Sequence, residues 1–303
     1  MTARYVAVSF LLARNRRTDG TKENTPMSTL TIVGTPIGNL GDMSPRAVET
    51  LRTVDFIAAE DTRVTMKLLS HFGISKPLVS YYEHNRRERG EQIVARILAG
   101  ESCALVTDAG MPAVSDPGGE LVEQCREAGV PVVCVPGPSA LITAYALSGL
   151  GETRFTFEGF LSVSKSGRRE HLDSLKGERR AMIFYEAPHK LRNTLDDFAA
   201  AFGPSRPIFL ARELTKLHEE GVKTTIGEAV EHYKEHDPRG EYVLIVWGKP
   251  ESEADEDTSK PDPVAVARAY VEGGMSVSEA AKRAAKETGS PRGWIYSALL
   301  EEP

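Results

Sequence analysis

"TLTIVGTPIGNLGDMSPRAVETLRTVDFIAAEDTRVTMKLLSHFG", residues 29–73, contains two successive strand, loop and helix cycles. "TLTIVG" is a short β-branched and aliphatic run, and "TPIGNLGDM" after it is rich in glycine and carries Pro36. Ser44 is placed to cap a helix that begins at Pro45, where a missing N–H costs nothing, with Val48 and Leu51 on one face. "VDFIAAE" returns as a strand, Thr62 is placed to cap "RVTMKLLSHF", and Gly73 is placed to end that helix. The rhythm then continues. "KPLVSYY", "CALVT" and "VPVVCVP" read as strands, "EQIVARILAG" and "GGELVEQCREAG" as helices. Alternation at this spacing predicts a mostly parallel sheet covered on both faces.

Near residue 150 the pattern becomes more mixed. "LSGLGETRFTFEGFL" opens a second unit, in which "RAMIFYEAP", "RPIFLAREL", "VKTTIG" and "EYVLIVWG" are strands separated by helices such as "HKLRNTLDDFAAAFG". The organisation expected is an N-terminal extension without fixed structure (1–28), a first α/β domain (29–150), a second α/β domain (151–248), an acidic linker (249–262) and a C-terminal helical segment (263–303). "PVAVARAYVEGG", "SVSEAAKRAAKETG" and "PRGWIYSALL" in that last segment fit a helix-turn-helix, and equally a small docking bundle. "ARYVAVSFLLARNRR" imitates a signal sequence but runs into Arg14, Arg16 and Arg17 without a small-residue cleavage site, and Met27 offers an alternative start. No apolar run approaches the roughly twenty residues that span a bilayer, so no membrane partner is expected.

Within 303 residues of net charge −6, the acids Glu251, Glu253, Asp255, Glu256 and Asp257 crowd the middle of the linker while cations cluster elsewhere. Arg86, Arg87 and Arg89 form one group, Lys165, Arg168 and Arg169 a second, and Lys176, Arg179 and Arg180 a third. Any one group is ordinary solvated surface; the three together suit local contacts to phosphates on an acidic body. Cys103, Cys125 and Cys134, an odd number without paired spacing, read as buried free thiols of a cytoplasmic protein.

In a parallel sheet, ligands gather at the carboxyl ends of the strands. Four loops at such ends are rich in Gly, Pro and small polar residues: "GTPIGNLGD" (34–42), "EDTR" (60–63), "TDAGMPAVSDPG" (107–118) and "PGPSA" (136–140). The first lacks the Gly-Lys-Ser/Thr ending of a P-loop and the G-x-G-x-x-G spacing of a dinucleotide fold. Such loops suit a ligand read by shape and by backbone hydrogen bonds. His232 and His236 have i,i+4 spacing but lie in "EHYKEHD", a polar helix far from the glycine loops, so no metal is expected.

"TPIGNLGDMSPRA", "AAEDTR", "VTDAGMPAVSDPG", "VPGPSA", "FYEAPHK", "ARELTK" and "GEYVLIV", in that order, resemble the ribosomal RNA small subunit methyltransferase I family of the tetrapyrrole methylase-like superfamily. The likeness runs over about residues 29–248. Met111 stands where many relatives have a smaller residue, and the first 26 residues have no counterpart. It implies two α/β domains of the tetrapyrrole methylase type with S-adenosyl-L-methionine in the cleft between them. The reaction implied is 2′-O-methylation of cytidine 1402 in 16S ribosomal RNA, and the assembly a homodimer.

By the same resemblance, Gly110, Met111 and Val114 contact the methionine and ribose portions of the cofactor, and Pro36, Ser139 and Ala140 approach it from neighbouring loops. Tyr185, Ala211 and Gly240 would close over the adenosine, although Tyr185 also fits a half-buried strand tyrosine. Asp108 and Asp116 fit loop bracing as well as ligand contact. Glu60 or Asp61 is the candidate proton acceptor, and Arg63 and Lys216 are candidate phosphate or ribose clamps; an isolated ion pair in "EDTR" is the plainer alternative. Two rivals remain at this point: a tetrapyrrole or protein side-chain methyltransferase of the same fold, and a non-catalytic ribosome-assembly protein that binds RNA.

Overall fold

A computed structural model describes residues 28–250 and 262–300. The N-terminal extension and nearly all of the acidic linker lie outside the described residues. The chain divides into two compact units: the first runs to Thr143 and includes Leu214–Leu217, and the second comprises Ala144–Glu213 and the chain from His218 onward.

The first unit is built on a five-stranded parallel sheet of β1 (Leu30–Val33), β2 (Phe56–Ala59), β3 (Leu78–Ser80), β4 (Cys103–Val106) and β5 (Val132–Val135), in the order β3-β2-β4-β1-β5. Helices α1 (Pro45–Thr53), α2 (Thr62–His71), α3 (Arg86–Leu98) and α4 (Gly118–Glu127) connect the strands. β2 and β4 are buried along their whole length, as expected for central strands covered on both faces. One core layer holds Leu30, Phe56, Ile93, Leu105 and Leu121, the other Val33, Leu51, Ile57, Leu69 and Val106. Ser44 caps α1 through Ala47 N–H, and Pro45 opens that helix. At α2 the cap is Asp61, not Thr62: its carboxylate accepts from Arg63 N–H at 2.8 Å, and Thr62 is the first helical residue.

β4 returns between β2 and β1, so the order of strands reverses beside β1 and the loops after β1 and β4 become neighbours. That reversal is where open α/β sheets place ligands. β5 lies at the sheet edge, which corrects one expectation: Cys103 and Cys125 are buried, but Cys134 on this edge strand is exposed. Burial pushes the Cys125 thiol up to about 11.

The helix α5 (Ala140–Ser148) precedes the second sheet, which comprises β6 (Phe155–Phe160), β7 (Ala181–Glu186), β8 (Pro207–Arg212), β9 (Glu220–Thr225) and β10 (Tyr242–Val246) in the order β6-β7-β10-β8-β9. Only β6 and β7 are parallel; the other pairs are antiparallel. The helices α6 (Lys165–Ser174), α7 (Leu191–Phe202) and α8 (Ile226–Glu235) belong to this unit, and one core gathers Leu172, Phe184, Leu195, Phe198, Leu210 and Leu244. Thr225 and Glu228 form a reciprocal capping box at the start of α8. Beyond the linker, α9 (Pro263–Glu272), α10 (Val277–Thr288) and α11 (Arg292–Leu300) pack on a small core of Ala267, Ala281, Ala284 and Ile295. None of the described helices is long and apolar enough to cross a membrane.

Candidate functional site

In the first unit the four loops at the carboxyl ends of the strands interlock. Thr35 and Gly110 exchange backbone hydrogen bonds, 2.9 Å from Thr35 N–H and 3.1 Å from Gly110 N–H, and so join the loop after β1 to the loop after β4. Thr35, only 1 % exposed, also donates its hydroxyl to Thr107 O at 3.1 Å. Gly110 sits at φ +88°, a conformation glycine adopts freely; a Cβ there would lie 3.4 Å from Ile37 and 3.6 Å from Pro138 O. Pro36 follows the bridge directly and is half-buried.

Met111 has a role that motif reading missed. Its Sδ accepts from Gly137 N–H at 3.2 Å, and a Cβ on Gly34 would come within 2.7 Å of both that sulfur and Gly137 Cα. The thioether therefore fills the gap that two glycines leave between the loops after β1 and β5. Ser139 and Ala140 stand at the start of α5, where Ser139 O accepts from Thr143 N–H at 2.9 Å.

Both aspartates of the loop after β4 brace it. Asp116 Oδ1 accepts from Ala113 N–H at 2.8 Å and Gly118 N–H at 2.7 Å, and burial raises its pKa. Ala113 (φ +69°) and Ser115 (φ +64°) flank Val114 in the left-handed region, a strain of order 1–3 kcal/mol each that the carboxylate helps to hold. Val114 itself is exposed.

Asp108 Oδ1 accepts from Asp61 N–H at 3.1 Å, and Glu60 Oε2 accepts from Thr107 Oγ1 at 2.5 Å, so "EDTR" is tied to the same loop. Burial first, then the neighbouring Glu60 and Asp61 carboxylates, raise the Asp108 pKa. Both oxygens of Asp61 engage the Arg63 guanidinium, at 2.6 Å for Oδ2, and this pairing brings its pKa down to about 2. Lys216, in the segment Leu214–Leu217 of this unit, lies over Gly38, where a Cβ would meet its Cγ at 2.5 Å.

In the second unit, strand register does the gathering. Val243 on β10 pairs with Tyr185 on one side and Ala211 on the other, so the three form one row across β7, β10 and β8. The row extends to Phe160, which pairs with Tyr185 at a ring separation of 5.5 Å, while Phe157 lies 5.0 Å from the same tyrosine. Tyr185 is thus a half-buried strand tyrosine within an aromatic cluster whose outer member, Phe160, is exposed. Gly240, at φ +73°, lies against Glu213, whose side chain occupies the space a Cβ would need, and Glu241 N–H donates back to Glu213 Oε1 at 3.2 Å.

A profile of tetrapyrrole (corrin/porphyrin) methylases matches residues 29–230. The chain is 47 % identical to ribosomal RNA small subunit methyltransferase I of Synechocystis sp. over 91 % of its own length and 98 % of the relative. It belongs to the ribosomal RNA small subunit methyltransferase I family. The Escherichia coli O157:H7 member of that family is 44 % identical over 90 % of this chain and 95 % of its own. Among solved structures, uroporphyrin-III C-methyltransferase from Thermus thermophilus, solved in complex with S-adenyl homocysteine, shares the fold: TM-score 0.52 and 18 % identity over 72 % of this chain and 97 % of that one.

The basic groups are largely satisfied within the fold. Arg168, expected at the surface, has its side chain only 15 % exposed, pairs with Asp197 and donates to Thr194 Oγ1 at 2.7 Å, with Thr194 in turn on the buried Glu186. Arg86 pairs with Glu83 and Glu120, Lys176 with Asp173, and Arg180 with Glu178. His232 and His236 stack at 4.2 Å, and among the described residues no cluster of three or more candidate metal ligands is gathered.

Proposed function

We propose that this chain transfers a methyl group from S-adenosyl-L-methionine to the ribose 2′-hydroxyl of cytidine 1402 in 16S ribosomal RNA, with the 30S particle as substrate. The observation that carries the reading is the interlocked set of glycine loops in a chain so close to named ribosomal RNA methyltransferases. The loops fit the cofactor chemically. Gly110, whose own N–H and C=O are taken up by Thr35, holds a turn in which a side chain would be strained, and the surrounding small residues offer amides and carbonyls rather than a phosphate-reading lysine.

Pro36, Gly110, Met111, Val114, Ser139 and Ala140 are assigned to the methionine and ribose portions, and Tyr185, Ala211 and Gly240 to the adenosine. When bound, the cofactor supplies a methyl group on a sulfonium, which needs no metal for activation. The protein's part is to align the acceptor hydroxyl and to take its proton. Glu60 is the assigned acceptor, beside Asp108 with its raised pKa, because Asp61 is held by Arg63 and is too weak a base. Arg63 and Lys216 are assigned to the RNA backbone or ribose.

The enzyme is proposed to act in the cytoplasm as a homodimer. α5 is apolar around its whole circumference, yet Ile142 and Leu147 are about half exposed, as is Val133 on the edge strand β5, and a second copy would cover them. Tritium transfer from labelled cofactor to 30S particles, free 16S RNA and an unstructured oligonucleotide, followed by nucleoside analysis, tests the reaction. The expected product is 2′-O-methylcytidine from 30S particles; label on a base, or equal transfer to all three, sinks the assignment.

A further inference from the structure

Two basic grooves lie on the second unit. One, of about 890 Å³, runs between α6 and α7 and is lined by Lys165, Arg169, Lys176, Lys190 and Asn193 over an apolar floor that includes Leu161 and Leu172. It extends to Lys176 and Ala201 at the far ends of the two helices and starts where the parallel strands β6 and β7 end, because Leu161–Lys165 follows β6 and Lys190 follows Glu186 of β7. That is the end carrying Tyr185. The other groove is lined by Arg154, Arg179 and Trp247, at the starts of β6 and β7 and the end of β10.

The charges of the first groove divide into spent and available. Arg168 is committed to Asp197 and Thr194, and Lys176 to Asp173 at 2.6 Å. Arg169 reaches Asp173 only at 3.7 Å, with its side chain 86 % exposed. Lys165 and Lys190 form no ion pair among the described residues. Asp196, the remaining acid of the lining, forms no ion pair among the described residues, Lys234 being paired with Glu231 at 2.5 Å. Three cations are thus left against that one acid, Lys165 and Arg169 on α6 and Lys190 just before α7, and the ten-residue α6, capped by Ser164, begins at Lys165 and adds the positive end of its dipole. Val163, 84 % exposed, adds an apolar contact at the mouth.

We propose that this groove is a phosphate-reading surface for the RNA strand flanking the methylated nucleotide, with Lys165, Arg169 and Lys190 contacting successive phosphates. The proposal rests on the RNA-methyltransferase reading above and adds where the substrate backbone runs. Arg168 is a positioning residue here: it ties α6 to α7 and so fixes the groove's width.

The test is equilibrium binding of fluorescently labelled 30S particles to the full chain across a salt series, for wild type, a Lys165→Gln/Lys190→Gln variant, and an Arg154→Gln/Arg179→Gln variant of the distal groove. Each single-stranded phosphate contact contributes about 0.7 to the slope of log affinity against log salt, so the first variant should lose about 1.4 of that slope and roughly ten-fold in affinity. The distal variant should match wild type, and cofactor affinity by calorimetry should be unchanged in both. An unchanged slope in Lys165→Gln/Lys190→Gln, or an equal loss in the distal variant, overturns the assignment. Methyl transfer by wild type is scored separately: lost salt-dependent binding in the variant together with no transfer by wild type would sink the reaction and support the groove.

Discussion

In the first unit, the loop after β4 is held from three sides, by Thr35 after β1, by Glu60 and Asp61 after β2, and by Gly137 after β5. In the second unit, Tyr185 and Ala211 are aligned by the strand ladder on either side of Val243. Where loops interlock, position depends on what the backbone leaves out, so adding one carbon is worse than removing several. Where a ladder holds the row, position survives changes of side chain, because the hydrogen bonds that set it are main-chain ones.

The largest effect should come from adding carbon to the interlock. Gly34→Val would drive its Cβ to within 2.7 Å of Gly137 Cα, a backbone atom with nowhere to go. Overpacking of this kind costs about 3 kcal/mol, and the loops can relieve it only by parting. The expected outcome is a folded but destabilised protein that no longer binds S-adenosylmethionine by calorimetry. Wild-type affinity in that variant would break the contrast between the two units.

The same contrast explains what could be read from the sequence. The first sheet, the cap at Ser44 with Pro45 after it and the four loops at the strand ends follow from local signals, since each strand end lies within a few positions of Gly, Pro or small polar residues. The Met111 contact to Gly137 was invisible, because it spans 26 positions and depends on β1 lying beside both β4 and β5. The Tyr185–Val243–Ala211 row depends on antiparallel register, which no short motif encodes, and Val243 and Phe160 were accordingly missed. Arg168 was misplaced for a related reason: a basic run on a helix shows its charge, not the Asp197 that a later helix brings to it.

Asp116 offers the next largest effect. Asp116→Ala removes an acceptor from two backbone N–H groups and frees the strained Ala113–Ser115 turn, at a cost of about 2 kcal/mol. Cofactor affinity should fall about ten-fold or more by calorimetry. Asp116→Asn keeps an oxygen at the same place and should lose about half as much stability. Equal losses in the two variants would show that the charge, not the acceptor, holds the loop.

On the ladder side, Tyr185→Phe keeps both ring contacts, to Phe157 and Phe160, and should bind the cofactor within about two-fold of wild type by calorimetry. Tyr185→Ala exposes that cluster and should weaken cofactor binding more than it weakens folding. A Tyr185→Phe variant as impaired as Tyr185→Ala would assign the role to the hydroxyl and sharpen the site.

The smallest effect separates two similar ion pairs, one in each unit. Asp61–Arg63 and Glu178–Arg180 each join a carboxylate to an arginine two residues on, with Oδ2 or Oε2 at 2.6 Å from the guanidinium. Arginine hydrogen bonding is the largest cause in each, and brings both carboxyls down to about 2. A depressed folded-state pKa means that the unfolded chain binds more protons as pH falls. The stabilisation is therefore present above about pH 4 and is lost between there and pH 2. Solvent screening separates the pairs: the Arg63 side chain is 85 % exposed and that of Arg180 43 %. Glu178→Gln should consequently flatten the acid limb of the stability profile more than Asp61→Asn, which keeps an oxygen to cap α2. Denaturant titrations at pH 2.5, 3.5 and 5 read the difference; a larger flattening in Asp61→Asn would mean that the "EDTR" pair also stabilises the loop beyond its own helix.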